Sequence, residues 1–347
     1  MSDNLPNPND PLLSQGTAQG TAQGTAKNAA QTGSQTNANE KTSCFAILSD
    51  EEAVNRLPTQ CPAIAFFSTL LGGITKNPAF MSLPIDDHLA HRGDGVFETV
   101  KLYNGAPYLL KEHLERLERS ASGIGMDMPM PKVEVEAAVR ATAAAAGGGT
   151  ILIRILASRG PGGFSVNPYE STGPQLYIAA YPAAPPFMAT HPEGARVMTS
   201  SVPVKPDFLA QIKTCNYIQN AMMKKEAVDA EVDFSIGVNA AGMVSESFTE
   251  NLCLVKDGEI IRPPCEGILA GTTMLRCLEL ASEQGIQIRG EPFSVDDGKA
   301  ADEILIFGTT AEVTGVIEWD GSPIGTGQLG PMFATLSQTL KAELDAL

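Results

Sequence analysis

Four stretches of this sequence place polar, chemically capable residues beside apolar runs or at the ends of predicted elements. The first is His91-Arg-Gly-Asp-Gly-Val-Phe-Glu-Thr-Val-Lys-Leu-Tyr-Asn-Gly105, followed by Glu112-His-Leu-Glu-Arg-Leu117. The second, Ile212-Lys-Thr-Cys-Asn-Tyr217, puts Lys213 just ahead of a predicted helix. The third runs from Met243 to Val255 and contains Glu246 and Glu250. The fourth is Gly267–Met274, with Gly271-Thr272-Thr273 leading into a helix, and is followed by Gly308-Thr309-Thr310 after an apolar strand. A lysine amine can act as a nucleophile or a base when its surroundings depress its pKa. Small residues at a helix start leave N–H groups free for an anion. Each stretch also has a plain structural reading. Lys213 can be a surface charge. Glu246 and Glu250, four apart, can be a solvated helix face. Thr272 can be a simple N-cap, and Gly308–Thr310 only a turn.

The elements that must position these residues follow from the periodicity. Val96–Tyr103 and Pro107–Leu110 read as strands around Asn104-Gly105, a hairpin signal. Helices are expected over 111–122 and 133–146, the latter ended by Gly147–Gly149. Strands are expected at Ile151–Ala157 and Gln175–Ala180. Tyr181-Pro-Ala-Ala-Pro-Pro186 cannot continue a strand or helix, so the interdomain linker is placed at 183–190. Beyond it, a strand near 195–202 is followed by helices at Tyr217–Asp229, Thr272–Glu283 and Pro331–Leu344. These alternate with short strands at Phe234–Val238, Asn251–Val255, Glu259–Arg262 and Glu303–Phe307. Met332, Leu336, Leu340 and Leu344 mark one buried helix face. The fold class is α+β in two domains, 60–182 and 191–347, with a low-complexity N-terminal tail over 1–45 expected to be disordered. No GxGxxG follows a first strand, which argues against a Rossmann fold.

Composition narrows the function classes. Of 347 residues, 43% are apolar and 18% charged, a globular balance. The net charge of −16 disfavours nucleic acid and anionic membrane surfaces as partners. Any phosphate ligand therefore needs a local site of N–H groups and placed cations. The six cysteines show no CxxC spacing and the four histidines complete no zinc cluster, so no metal is expected and the thiols are read as free in a reducing, cytoplasmic compartment. No apolar run is long enough to span a membrane, and no signal or transit peptide is expected at the N-terminus.

Taken together and in order, the four stretches resemble the fold-type IV, or class IV, pyridoxal-phosphate enzymes. That family includes branched-chain aminotransferases, D-amino-acid aminotransferases and 4-amino-4-deoxychorismate lyases. The resemblance runs from about Ser82 to the C-terminus. It implies a small α/β domain and a larger cofactor-binding domain with a β-barrel-like core. It implies pyridoxal 5′-phosphate as cofactor, with Lys213 carrying it as a Schiff base and later moving the substrate α-proton. It implies that Glu246 faces the pyridine nitrogen, that Arg116 binds the cofactor phosphate, and that Thr272 and Thr273 form the phosphate loop through N–H groups and a hydroxyl. Tyr217 would lie near the cofactor 3′-oxygen, and Asn251 would support the loop. Phe97, Arg159, Thr309 and Thr310 would face the substrate, the last two through turn N–H groups that hold its carboxylate.

Some positions depart from the family pattern. Met274 stands where an arginine is frequent, and His91-Arg92 precede Gly93-Asp94-Gly95 as in a subgroup that includes plant D-amino-acid-aminotransferase-like proteins. The loop from Ser158 to Tyr169 has Arg159 but lacks the histidine of strict D-amino-acid enzymes, and its opening also resembles the lyases. The expected activity is amino transfer from an amino acid, branched-chain-like or D-amino-acid-like, to a 2-oxo acid by a ping-pong mechanism. The alternatives are a 4-amino-4-deoxychorismate lyase, releasing pyruvate and p-aminobenzoate, and a member that keeps the fold without chemistry. The resemblance also implies a homodimer, with the 159–169 loop crossing to the other subunit.

Overall fold

The computed structural model describes residues 47–347, so the tail expected over 1–45 lies outside the described residues. Residues 47–56 hold one short helix, α1 (Asp50–Asn55). Its start is fixed by a capping box. The Ser49 hydroxyl accepts from the Glu52 N–H, and the Glu52 carboxylate accepts from the Ser49 N–H.

Residues 57–347 form a second compact unit that contains two sheets. The first sheet is built from β1 (Ala65–Ser68), β2 (Gly73–Thr75), β3 (Gly95–Tyr103), β4 (Ala106–Pro107), β5 (Ile151–Ser158) and β6 (Gln175–Pro182). Its order is β2-β1-β6-β5-β3-β4, antiparallel throughout. With it come α2 (His88–Arg92), α3 (Leu110–Gly123) and α4 (Lys132–Ala145). Strand side chains alternate between faces. Val96, Val100 and Leu102 of β3, Ile153 and Ile155 of β5 and Ile178 of β6 pack with Leu114 and Leu117 of α3 and Val135 and Val139 of α4. By the same alternation Phe97, Lys101 and Tyr103 of β3 and Arg154 of β5 belong to the other face.

Two local expectations change here. The strand expected at Pro107–Leu110 is only β4, because Leu109 takes a left-handed conformation (φ 52°) and the chain turns directly into α3. At the other end, β6 continues through Tyr181 and Pro182, which pair with Leu152 and Ile151. A proline is tolerated there because the strand ends on it.

The second sheet comprises β7 (Ala195–Thr199), β8 (Phe234–Val238), β9 (Val244–Ser247), β10 (Asn251–Lys256), β11 (Glu259–Arg262), β12 (Ile288–Gly290), β13 (Glu303–Gly308), β14 (Glu312–Trp319) and β15 (Ser322–Pro323). It is a mixed, curled sheet of order β12-β11-β10-β13-β14-β7-β8-β9, with β15 on β14. The helices of this half are α5 (Phe187–Thr190), α6 (Asp207–Ala210), α7 (Ile218–Asp229), α8 (Thr272–Glu283), α9 (Val295–Lys299) and α10 (Pro331–Asp345). The sheet is buried on both faces. Cys253, Val255, Leu305 and Phe307 pack with Met274, Cys277 and Leu278 of α8 and with Leu336 and Leu340 of α10. Leu252, Leu254, Ile304 and Ile306 join Ala195, Val197, Ile236 and Trp319 on the other side. The alternative of a solvated helix carrying Glu246 and Glu250 is corrected: Glu246 lies in strand β9, and Glu250 is buried in the turn before β10. No helix among the described residues is long and apolar enough to cross a membrane.

Candidate active site

Because β4 is so short, the edge of β3 near Gly95–Phe97 is left without a strand partner, and the segment around Lys213 fills it. The Phe97 N–H donates to the Lys213 carbonyl at 3.0 Å and the Cys215 N–H to the Gly95 carbonyl at 2.9 Å. From α3, the Ser120 hydroxyl accepts from the Lys213 N–H at 3.2 Å. The Lys213 backbone is thus fixed by both the first sheet and its covering helix. The Lys213 Nζ lies 3.4 Å from the Tyr217 hydroxyl and 4.7 Å from the centroid of the Phe97 ring. Phe97 and Tyr217 meet edge to face at 4.9 Å. Burial, aided by the nearby Arg116 guanidinium, pulls the Lys213 amine down to about 8. A substantial neutral fraction near physiological pH is what a lysine nucleophile needs.

Arg116 sits in a buried network. Its Nε and Nη2 donate to the two oxygens of Glu98 at 2.7 and 2.8 Å, and its Nη1 donates to the Ala270 carbonyl at 3.0 Å. A guanidinium has five N–H donors, so two remain for a ligand. Glu98, at 0% exposure, also takes a 2.7 Å bond from His113 Nδ1. Burial works to raise the Glu98 pKa, but Arg116 and His113 outweigh it and hold the carboxyl well below its ordinary range. Burial lowers the pKa of His113 despite Glu98, which favours the neutral ring. With Nδ1–H directed at Glu98, Nε2 accepts from the Thr272 hydroxyl at 3.2 Å. The Thr272 hydroxyl hydrogen is therefore already engaged, and Thr272 would meet an anion through its backbone N–H. A donating hydroxyl falls instead to Thr273.

The 268–272 loop draws in the remaining polar groups. Glu246 accepts from the Leu269 N–H at 3.0 Å. Asn251 Nδ2 donates to the Leu269 carbonyl at 2.8 Å. Gly271 is the N-cap of α8 with no side-chain cap, so the first N–H groups of the helix, at Thr272 and Thr273, stay open to an anion. Burial pushes Glu246 up to about 7, against the Leu269 N–H and the charges of Lys205, Lys213 and Arg116. Lys205 stands 4.7 Å over the Tyr217 ring and shares a small cavity wall with Glu246, Ser247 and Asn220.

The turn between β13 and β14 holds Thr309 and Thr310, and among the described residues the N–H groups of Thr309, Thr310 and Ala311 have no hydrogen-bond acceptor. Arg159, expected at the substrate, is engaged elsewhere. Its guanidinium donates to Asp94 and to the Ile124 and Gly125 carbonyls at 2.9 and 2.8 Å, which ties down the start of the loop. Arg154 instead has no ion pair or hydrogen bond among the described residues, and its guanidinium lies 4.6 Å from the Phe97 ring centroid.

A lysine amine, a carboxylate and an anion-ready helix start on one loop-and-strand frame have counterparts among known proteins. The family model for amino-transferase class IV matches residues 95–319. The chain belongs to the class IV aminotransferases. It is 34% identical over 288 residues to a chloroplastic D-amino-acid transaminase of Arabidopsis thaliana, covering 81% of this chain and 76% of that one. It is 34% identical over 258 residues to a putative branched-chain-amino-acid aminotransferase of Methanocaldococcus jannaschii, covering 74% and 88%. Among solved structures, a T.th. branched-chain amino acid aminotransferase with pyridoxamine 5′-phosphate superimposes with a TM-score of 0.77 at 29% identity, over 82% of this chain and 96% of that one.

In this aminotransferase several residues of the site were not singled out by sequence reasoning. Glu98 and Lys101 lie in an almost wholly buried strand, and a charge in such a run must find a partner. That signal could have marked both. His113 lies inside the 112–117 stretch, three positions before Arg116, but shows its role only through its two partners. Arg154 and Lys205 carry no sequence signal beyond alternation with apolar neighbours.

Proposed function

We propose that pyridoxal 5′-phosphate is the cofactor of this aminotransferase, held by Arg116 and the N–H groups of Thr272 and Thr273 at its phosphate, by Glu246 at its ring nitrogen, and by Lys213 covalently. The observation that carries the reading is the Lys213 amine, lowered by burial to about 8, fixed on the β3 edge and lying within the field of Arg116 and Glu246. The donor set fits a phosphorylated, ring-nitrogen cofactor: two spare guanidinium N–H groups, an uncapped helix start and a carboxylate. When bound, the cofactor supplies an electron sink for the α-carbon and carries the amino group between two half-reactions. The protein's part is to bind and orient. Lys213 Nζ takes up and returns the α-proton. Phe97 and Tyr217 wall the amine and keep water from it. Thr309, Thr310 and Ala311 offer N–H groups to the substrate carboxylate, and Arg154 offers an unpaired cation.

The substrates on this reading are an amino acid of the D- or branched-chain class and a 2-oxo acid. Asp94 and Arg159 anchor the 159–173 loop, and His88 Nε2 meets the Gly163 carbonyl at 3.0 Å. That loop leaves Phe164, Val166 and Tyr169 about nine-tenths exposed, at 88%, 87% and 92%. Three such side chains on one anchored loop fit a second copy of this chain, so the working form is a homodimer. The unpaired thiols of Cys61, Cys215, Cys253, Cys265 and Cys277 support a reducing, cytoplasmic location.

An absorbance scan with pyridoxal phosphate, before and after L-leucine, L-glutamate or D-alanine, tests the reading. The band of the lysine-bound cofactor is expected to convert to the pyridoxamine band with one donor class. A band that forms and converts with no amino donor would favour the lyase alternative. No band in the wild type would remove Lys213 from its role.

A further inference from the structure

The turn that offers N–H groups at Thr309–Ala311 closes on Glu312, and Glu312 has a left-handed backbone (φ 56°). It pairs with Gly308 across the hairpin, so three residues separate the paired positions. The residue that closes a hairpin turn commonly falls in this region, and glycine fills it without steric cost. A glutamate there is strained unless something holds it. Here the grip comes from the other sheet. Lys101 Nζ of β3 lies 2.7 Å from Glu312 Oε1, and the Tyr103 hydroxyl donates to the same oxygen at 2.8 Å. Lys101 is almost fully buried, with its side chain at 3% exposure, and its Nζ stands 4.6 Å over the Tyr103 ring. Burial and the Glu312 charge raise the Tyr103 pKa, so the phenol stays a donor.

We infer that Lys101 and Tyr103 are positioning residues for substrate recognition: through Glu312 they fix the Thr309–Ala311 turn, so the affinity for the substrate α-carboxylate is set by an ion pair joining the two sheets. This rests on the reading that the turn receives that carboxylate. Lys101 lies on the strand that also carries Phe97 and Glu98, so one strand registers the lysine pocket, the arginine network and, through Glu312, the carboxylate turn. Removing the grip frees the turn to leave the conformation in which its N–H groups converge. The binding of the cofactor, held by other elements, is not touched.

The test measures binding of aliphatic monocarboxylates, from propionate to 4-methylvalerate, to the apo chain by calorimetry, and the KM and kcat of the holoenzyme for an amino donor. Lys101→Met is expected to weaken carboxylate binding and raise KM by about tenfold, with kcat and pyridoxal-phosphate affinity changed by less than about twofold. Lys101→Arg is expected to restore most of the loss. Glu312→Gly relieves the backbone strain but leaves the buried Lys101 charge unpaired, so it is made together with Lys101→Met, which removes that charge. The double variant is expected to lose carboxylate affinity to the same extent. Unchanged carboxylate affinity in the double variant would overturn the inference. Thr310→Pro, which removes a turn N–H directly, separates the two levels. If it weakens carboxylates and the grip variants do not, only the positioning role falls. If it too leaves affinity unchanged, the turn is not the carboxylate site.

Discussion

At the scale of single residues, the two titratable groups central to the site are shifted in opposite senses by the same cause. Burial disfavours charge, so the Lys213 amine moves down from 10.5 to about 8 and the Glu246 carboxyl up from 4.5 to about 7. For Lys213, the unfolded chain binds more protons than the folded one between about 8 and 10.5, so its contribution to stability rises with pH across that window. For Glu246, the folded chain binds more protons between 4.5 and about 7, so its contribution is present at low pH and lost as pH rises through 7. Attachment of pyridoxal phosphate to the apo chain is therefore expected to accelerate with pH through about 8 rather than near 10.5, as followed by stopped-flow absorbance. Lys213→Ala should abolish the absorbance band. Lys205 is the foremost of the charges holding Glu246 down, after the Leu269 N–H. Lys205→Met is expected to move the Glu246 titration above 7 in a carboxyl-carbon NMR titration, and no movement would remove Lys205 from that role.

The start of α8 shows how an element, rather than a residue, makes a site. Gly271 is required there by close approach and not by its backbone angles, which lie in the extended region (φ −69°). A Cβ on Gly271 would come within 1.9 Å of Asn251 Oδ1. Asn251 in turn holds the Leu269 carbonyl, whose residue also donates its N–H to Glu246. Gly271→Ala must therefore displace the Asn251 side chain, and with it its hold on the Leu269 carbonyl, or shift the 268–272 loop itself, at about 1–3 kcal/mol of local strain. The expected result is a cofactor dissociation constant raised by about tenfold or more. Equilibrium dialysis checks this, and a melting temperature close to the wild type's would place the effect at the loop. The boundaries of α8 and α10 were legible in the sequence because their apolar faces repeat and a Gly-Thr or a Gly-Pro precedes them. β4 was not. The Asn104-Gly105 turn is where the sequence put it, but the left-handed Leu109 cuts the second strand short, and no local signal announces that.

At the scale of the whole molecule, the exposed Phe164, Val166 and Tyr169 are proposed to meet a second subunit. Purified protein is expected to run at twice the chain mass in light scattering. Phe164→Asp combined with Tyr169→Asp is expected to give a monomer of unchanged helix content by circular dichroism. If that variant stays dimeric, the 159–173 loop is not the contact.

The sequence by itself determined the residue types of the site, their order along the chain and most of the helices and strands, because helix caps, apolar periodicity and motif spacing are local properties. It did not determine who pairs with whom. Lys101 with Glu312 and Arg159 with Asp94 are contacts between segments far apart in the chain, and Glu98 meets Arg116 and His113 only through the packing of α3 on β3. These pairings decide which cations are available. Arg159 is consumed by Asp94 and two carbonyls, whereas Arg154 is left unpaired among the described residues. Only the tertiary structure could decide that, because a buried charge is set by the partners that packing brings to it.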